Sequence, residues 1–177
     1  YHAAMLEPHT AAELSIDDMD YVASQMGLGE PTGVELPENV GWRANPESKQ
    51  RQYGERLEGR WFPGDKILAA IGQSENRFSP MQLCVYASTL ANKGTRDKAT
   101  FMNRVVSADY QSLLAENLPT VVSKLEISPD AVYAYTEGMK RVTGWNGGTA
   151  DDEFLNFPIT VAGKTGTEEE VYGAEDN

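Results

Sequence analysis

Residues 161–167 read Val-Ala-Gly-Lys-Thr-Gly-Thr, with Lys164 at the centre. The residues that lead into this motif, 158–161, are a proline, which suits the first position of a strand, and three β-branched residues. The pattern therefore predicts a strand within residues 157–167, with the motif on it or at its end. Lys164 then has three interpretations: a phosphate ligand, a cation in an active site, or a surface lysine between two glycines.

The phosphate interpretation requires the pattern Gly-x4-Gly-Lys-Thr, in which a glycine-rich loop surrounds the phosphates. Gly163, Lys164 and Thr165 supply its second half. The first glycine would stand at position 158, where the chain has Pro158, and proline lacks the backbone N–H that such a loop uses. A P-loop nucleotide-binding protein is therefore a remote alternative.

The surface interpretation is the usual one for an isolated Lys-Thr-Gly, because glycines beside a strand lysine often mark a turn or bulge. The local charge weakens it. Residues 151–177 contain eight acidic residues, and Lys164 is their only base. A single cation in such surroundings favours the binding of one particular anion, and the flanking glycines let another backbone approach the strand closely.

The composition of the 177 residues argues against several other classes of function. The net charge is −12, and the bases are not gathered into a stripe, so nucleic acid and anionic membrane surfaces are not expected partners. No apolar run approaches the roughly 20 residues that span a bilayer. The spacing of His2, Glu7 and His9 fits no standard metal site, so no metal is predicted.

Helix signals recur along the chain. Three segments combine a serine N-cap with apolar residues at helical spacing and a closing glycine; they cover residues 15–26, 79–94 and 128–144. Residues 27–42 hold too many glycines and prolines for regular structure. Short strands or extended connections are predicted within 101–110 and 120–127.

The middle helix carries the only cysteine, Cys84. Its apolar spacing predicts that one face is buried, and Cys84 is expected to be a small buried hydrophobic residue and not a catalytic thiol. The residues of the predicted buried stripe are Leu83, Tyr86, Ala87, Leu90 and Ala91.

The motif at 161–167 is one of several that occur in a fixed order. They are Gly-Leu-Gly-Glu-Pro-Thr-Gly-Val-Glu-Leu-Pro-Glu-Asn-Val-Gly at 27–41, Trp-Phe-Pro-Gly-Asp at 61–65, Ala-Ala-Ile-Gly-Gln at 69–73, the helix of 78–94, the helix of 126–143, Gly-Thr-Ala at 148–150 and the motif itself. Together they resemble the transpeptidase domain of class B penicillin-binding proteins, in which Lys-Thr-Gly accompanies Ser-x-x-Lys and Ser-x-Asn.

This resemblance implies an α+β fold of the penicillin-binding and β-lactamase type, with helices packed on an antiparallel sheet whose active-site edge strand includes residues 159–167. It implies a serine D,D-transpeptidase that cross-links peptidoglycan stem peptides ending in D-Ala-D-Ala, and that β-lactams acylate. No cofactor is implied. The implied partners include other cell-wall synthesis proteins, and the implied place of action is the extracytoplasmic face of the bacterial membrane, with an N-terminal helix as anchor.

The resemblance also implies roles for single residues. Lys164 would organise the electrostatics of the site, and the hydroxyls of Thr165 and Thr167 would hold the carboxylate of the substrate or antibiotic. Gly166 would keep the face of the strand open. The N–H of Thr167 would be one of two donors to the oxyanion.

The nucleophile of this chemistry is absent from the sequence, because no serine has a lysine three residues later. Ser74-Glu75-Asn76 spells Ser-x-Asn, but it follows Ile-Gly-Gln, and a turn is expected there. Residues 1–177 are therefore expected to be an incomplete transpeptidase domain that lacks both upstream motifs and the strand after Lys-Thr-Gly-Thr, and that is inactive alone.

One departure from the pattern is the acidic run after the motif, residues 168–177, where small or neutral residues would be expected. The main alternative function is a catalytically silent module of the same fold, acting as a β-lactam sensor or a scaffold. A Ser-x-x-Lys upstream in the full-length sequence would favour the enzyme, and its absence there would favour the scaffold.

Overall fold

The structure, a computed structural model, describes residues 14–166. Helices and short antiparallel strands occur in the same chain, which confirms the predicted α+β class. The chain divides into two compact units, Tyr1–Glu126 and Ile127–Asn177. Within the described range, no helix has both the length and the apolar character that crossing a membrane requires.

The described part of the first unit contains helices and strands, and that of the second contains helices. The helices of the first unit are α1 (Ile16–Gln25), α2 (Pro46–Tyr53), α3 (Pro63–Ala70) and α4 (Pro80–Ala91), with a short 3-10 helix at Leu57–Gly59. Its strands are β1 (Thr95–Asp97), β2 (Arg104–Val106), β3 (Leu113–Glu116) and β4 (Val121–Lys124). The helices of the second unit are α5 (Pro129–Gly144) and α6 (Asp151–Phe154).

Three helices begin where serine N-caps predicted them. Ser15 and Ser79 each accept a hydrogen bond from the N–H three residues later, and the side chains of Asp18 and Gln82 accept one from the N–H of the cap residue. Ser128 caps α5 in the same way through its hydroxyl. These contacts satisfy donors that the first helical turn leaves open, so local sequence decides where the helices start.

The four strands form two separate two-stranded antiparallel sheets, β1 with β4 and β2 with β3. β2 and β4 lie inside the two predicted strand regions, whereas their partners were not predicted. Arg96 on β1 donates to the hydroxyl of Ser123 on β4, and that hydroxyl donates to the carbonyl of Gln25 at the end of α1. The β1–β4 sheet is thereby joined to α1.

The predicted buried face of α4 is wrong for Leu83, Ala87 and Ala91, which are exposed, whereas Tyr86 and Leu90 are half-buried. Leu83 is 48% exposed, and Cys84, expected to be buried, is exposed as well. The buried residues of the helix are Gln82, Val85 and Thr89. The side-chain amide of Gln82 donates to the carbonyl of Glu30 at 2.9 Å, so this face lies against the loop that follows α1. Because apolar and small residues surround most of α4, their spacing could not identify the buried face.

Polar contacts organise the glycine-rich loop after α1. The carboxylate of Glu38 accepts hydrogen bonds from the N–H groups of Thr32 and Gly33 and from the Thr32 hydroxyl, at distances between 2.6 and 3.0 Å. Burial opposes ionisation of Glu38, but these hydrogen bonds outweigh it and lower its pKa. The loop therefore has a defined path although it forms no regular element.

Arg43 connects that loop to α1. Its guanidinium donates to Asp20 at 2.9 Å, to the Leu28 carbonyl at 2.7 Å and to Glu30 at 2.8 Å. Burial opposes the charge of Arg43, but the two carboxylates outweigh it and raise its pKa. A planar guanidinium can serve three acceptors at once, which a lysine could not do with the same geometry.

A buried ion pair joins α2 to α3. Lys49 donates to Asp65 at 2.7 Å, and both side chains are nearly buried. The other carboxylate oxygen of Asp65 accepts from the N–H of Phe62, which caps the start of α3. The ammonium of Lys49 also lies about 6 Å from the ring centroid of Trp61. The Lys49–Asp65 pair therefore helps to hold the segment 61–65 in its conformation.

Breaking this pair should cost much more than breaking an exposed one on the same helix. Lys49→Met leaves the Asp65 carboxylate buried without its cation, so we expect a loss of about 3–5 kcal/mol in the free energy of unfolding. Arg51 on α2 pairs with Glu47 at 2.9 Å, and both side chains are mostly exposed. Arg51→Met should cost less than about 1 kcal/mol. Equal losses in denaturant titrations would contradict the burial of the Lys49 pair.

Gly41 allows two segments of the first unit to approach closely. The adjoining residue, Trp42, exchanges two backbone hydrogen bonds of 2.9 Å with Arg77. A Cβ on Gly41 would lie 1.8 Å from the Arg77 carbonyl oxygen, well inside contact distance. Only glycine fits at this position.

Gly41→Ala should therefore destabilise the protein by at least about 3 kcal/mol, because the backbone of one segment must move. Gly64→Ala is the matched control, since a Cβ there meets no heavy atom within 4 Å. The midpoints of thermal unfolding of the two variants are compared. A Gly41→Ala midpoint close to that of Gly64→Ala would show that the two segments are not held this tightly.

Candidate active site

The predicted strand at 159–167 is not present among the described residues. We call residues 159–166 the Lys164 segment; none of its residues belongs to a strand or pairs with one. Its backbone bonds to helix α5 instead. The carbonyl of Val161 accepts from the Thr143 hydroxyl at 2.5 Å, and the N–H of Gly163 donates to the Met139 carbonyl at 3.0 Å. A strand requires a ladder with another strand, and no described strand pairs with this segment.

Helix α5 and the Lys164 segment approach closely at Gly163. A Cβ on Gly163 would lie 3.3 Å from the methyl carbon of Thr143 and 3.9 Å from a methyl of Val142. The absence of a side chain thus lets the segment lie against the last turn of α5. Thr143 itself is 3% exposed.

The three described residues of the predicted site are adjacent and exposed. The ammonium of Lys164 donates to the Thr165 carbonyl at 2.7 Å and lies 3.4 Å from the Thr165 hydroxyl. Within residues 14–166 Lys164 forms no ion pair. Gly166 borders open space, since a Cβ there would meet no heavy atom within 4 Å. The fourth predicted residue, Thr167, lies outside the described residues.

A groove of about 530 Å³ lies along α5 beside the start of the Lys164 segment. Its lining includes Lys140, which is paired with Glu137 at 2.9 Å, and Arg141, whose guanidinium lies 4.7 Å from the Trp145 ring centroid. Lys164 does not line this groove. Thr165 and Gly166 do not line it either, so the described residues of the predicted site lie outside the groove.

The Ser-x-Asn at 74–76 forms a turn, as predicted. The side-chain amide of Asn76 donates to the carbonyls of Ala69 and Gln73, both at 3.1 Å, and its oxygen accepts from the N–H of Ala44 at 2.9 Å. Asn76 is thus occupied in holding the loop. No group of three or more His, Cys, Asp or Glu side chains in the described range is placed to hold a metal ion, and His2, Glu7 and His9 lie outside that range.

Thr143 is the functional candidate that sequence reasoning missed. The helix signals of residues 128–144 gave no role to this residue. A threonine near the end of a helix can bond a carbonyl in the preceding turn, and Thr143 does lie 3.2 Å from the Lys140 carbonyl. Nothing in the sequence identifies its second acceptor, Val161, because that contact joins residues 18 positions apart.

Comparison with known protein families identifies the family of this chain. A profile of the penicillin binding protein transpeptidase domain matches residues 8–177. The chain belongs to this family. Penicillin-binding protein H of Bacillus subtilis strain 168 is 32% identical over 155 residues, which cover 84% of this chain and 19% of that protein. Penicillin-binding protein 2A of the same strain is 29% identical over 178 residues, covering 96% of this chain and 22% of that protein.

A third relative is the peptidoglycan D,D-transpeptidase MrdA of Haemophilus influenzae, 27% identical over 168 residues, covering 94% of this chain and 25% of that protein. The resemblance to class B penicillin-binding proteins is therefore confirmed. The chain spans about a fifth to a quarter of the length of these three relatives.

Solved structures show the same fold. Penicillin-binding protein 2B from Streptococcus pneumoniae strain R6 matches with a TM-score of 0.63 and 23% identity, over 89% of this chain and 25% of that chain. A chain from a structure described as the coordination of polymerization and crosslinking by a peptidoglycan synthase complex matches with a TM-score of 0.64 and 24% identity, over 85% of this chain and 23% of that chain. The predicted penicillin-binding-type fold is confirmed.

Proposed function

We propose that this chain is part of the catalytic domain of a peptidoglycan D,D-transpeptidase that also binds β-lactams covalently. In this reaction a serine oxygen attacks the carbonyl between the two D-alanines of a stem peptide, and D-alanine leaves. The amine of a second strand then resolves the acyl-enzyme. The observation that carries the proposal is the exposed Lys-Thr-Gly of residues 164–166 in a chain of this family.

The nucleophile belongs to the part of the full-length protein outside residues 1–177, because this chain has no Ser-x-x-Lys. This chain contributes the side of the site that faces the nucleophile. In the proposal the ammonium of Lys164 attracts the substrate carboxylate, and the hydroxyls of Thr165 and Thr167 hold it by hydrogen bonds. The N–H of Thr167 stabilises the developing oxyanion, and Gly166 leaves room for the substrate backbone.

The described geometry supports the role of Lys164. An ammonium has three N–H donors, and the contacts that Lys164 makes are both to the adjacent residue, Thr165. Such local contacts can be exchanged for a substrate oxygen without breaking any packing. Because Lys164 has no carboxylate partner in the described range, its charge is available to an incoming anion.

The proposal extends to place and partners. A peptidoglycan transpeptidase acts where its substrate is, so we place the full-length protein at the extracytoplasmic face of the bacterial membrane, held there by an N-terminal helix. One matched structure is described as a peptidoglycan synthase complex, which supports other cell-wall synthesis proteins as partners. The proposed reaction uses no cofactor and no metal.

The test is acylation of the full-length protein by a fluorescent penicillin. Lys164→Ala should slow acylation by at least about 100-fold, the scale of loss when one electrostatic contributor to the transition state is removed. The thermal midpoint should stay unchanged, because Lys164 is exposed.

Lys124→Ala is the control for a loss of positive charge, since Lys124 is an exposed lysine paired with Glu126 in the first unit. Its acylation rate should match that of the unmodified protein. Acylation of Lys164→Ala at a near-normal rate would refute the role given to Lys164. Failure of the unmodified protein to be labelled at all would favour a catalytically silent module instead.

A further inference from the structure

We infer that Thr143 is a positioning residue for Lys164. Thr143 is on helix α5, and its hydroxyl holds the carbonyl of Val161 in place. It thereby determines the position of the backbone at Lys164, three residues after Val161. The inference rests on the proposed role of Lys164 and adds a residue that lies outside the Lys-Thr-Gly motif.

The hydroxyl of Thr143 donates its hydrogen bond to the carbonyl of Val161. Its oxygen lies 2.5 Å from the Val161 carbonyl oxygen and 3.2 Å from the carbonyl oxygen of Lys140 on the same helix. A hydroxyl donates one proton, and the shorter contact takes it. Because Thr143 is 3% exposed, water cannot readily replace this hydrogen bond.

A second hydrogen bond fixes the same stretch two residues further on. The N–H of Gly163 donates to the carbonyl of Met139, which lies one helical turn before Thr143. The two contacts flank Ala162 and end one residue before Lys164. One turn of α5 therefore determines the path of the backbone that enters the motif.

The methyl group of Thr143 faces the open side of Gly163. The methyl carbon lies 3.3 Å from the place where a Cβ on Gly163 would be. The hydroxyl and the methyl of one side chain thus act on two different residues of the segment. Substitutions can separate the two contributions, because serine keeps the hydroxyl and valine keeps the branched shape.

Lys164 depends on this arrangement because its own side chain is not packed. It is exposed, and its hydrogen bonds in the described range go to the adjacent Thr165. Its position is therefore set by the backbone of residues 161–163. A displacement of about 1 Å caused by a substitution outside the reacting groups can cost up to about 100-fold in rate.

The experiment compares four variants of the full-length protein: Thr143→Val, Thr143→Ser, Thr136→Val and Lys164→Ala. Thr136 lies on α5 about two turns before Thr143, so Thr136→Val makes the same chemical change away from Val161. Acylation by a fluorescent penicillin is followed over a concentration series. The series separates the limiting acylation rate from the affinity of the noncovalent complex.

Thr143→Val should lower the limiting acylation rate about tenfold, the loss that one hydrogen bond typically explains. Thr143→Ser should restore the rate to within about twofold of the unmodified protein, and Thr136→Val should leave it unchanged. Amide hydrogen exchange at Gly163 should be faster in Thr143→Val than in Thr136→Val. Exchange reports the loosened segment independently of activity and at temperatures where the variants are folded.

Two acylation results would overturn the inference while leaving the proposed function in place. One is a normal rate in Thr143→Val together with a large loss in Lys164→Ala; the other is a loss in Thr143→Val that serine does not restore. Unchanged exchange at Gly163 in Thr143→Val would also refute it. A normal rate in Lys164→Ala would overturn both the proposed function of the segment and the inference.

Discussion

Buried polar groups must be paired, and this constraint runs through the described part of the chain. The buried hydrophobic residues in the range 14–166 are Met26, Ala44 and Val85. The buried polar ones are more numerous, and no buried side-chain nitrogen or oxygen in that range lacks a partner. Arg43, Lys49 and Gln82 each join a helix or loop to another through such contacts. Loops rich in glycine and proline consequently follow defined paths.

The same kind of contact shapes the second unit. Thr143 is a polar side chain near the end of α5, and it bonds to a backbone carbonyl of the Lys164 segment in place of a neighbouring strand. The backbone just before Lys164 is held by hydrogen bonds to α5, whereas the side chains of Lys164 and Thr165 are exposed. An anion-binding surface requires a backbone that is held in place and hydrogen-bond donors that are accessible, because preorganised groups need not rearrange during reaction.

Local signals could be predicted from the sequence, and contacts between distant residues could not. Ser15, Ser79 and Ser128 act on N–H groups three residues later, so the starts of α1, α4 and α5 were predictable. The buried face of α4 depends on a contact from Gln82 to Glu30, 52 residues away, and apolar spacing pointed to the wrong side. The strand predicted at 159–167 had the right residue types but no described strand to pair with.

We propose that the full-length protein forms a serine acyl-enzyme at a site that the Lys164 segment borders. This proposal is tested most directly by incubating the unmodified full-length protein with a fluorescent penicillin, digesting it and locating the adduct by mass spectrometry. We expect one penicilloyl group, on a serine outside residues 1–177 that is followed three residues later by a lysine. An adduct on a residue of this chain, or no adduct at all, would contradict the account.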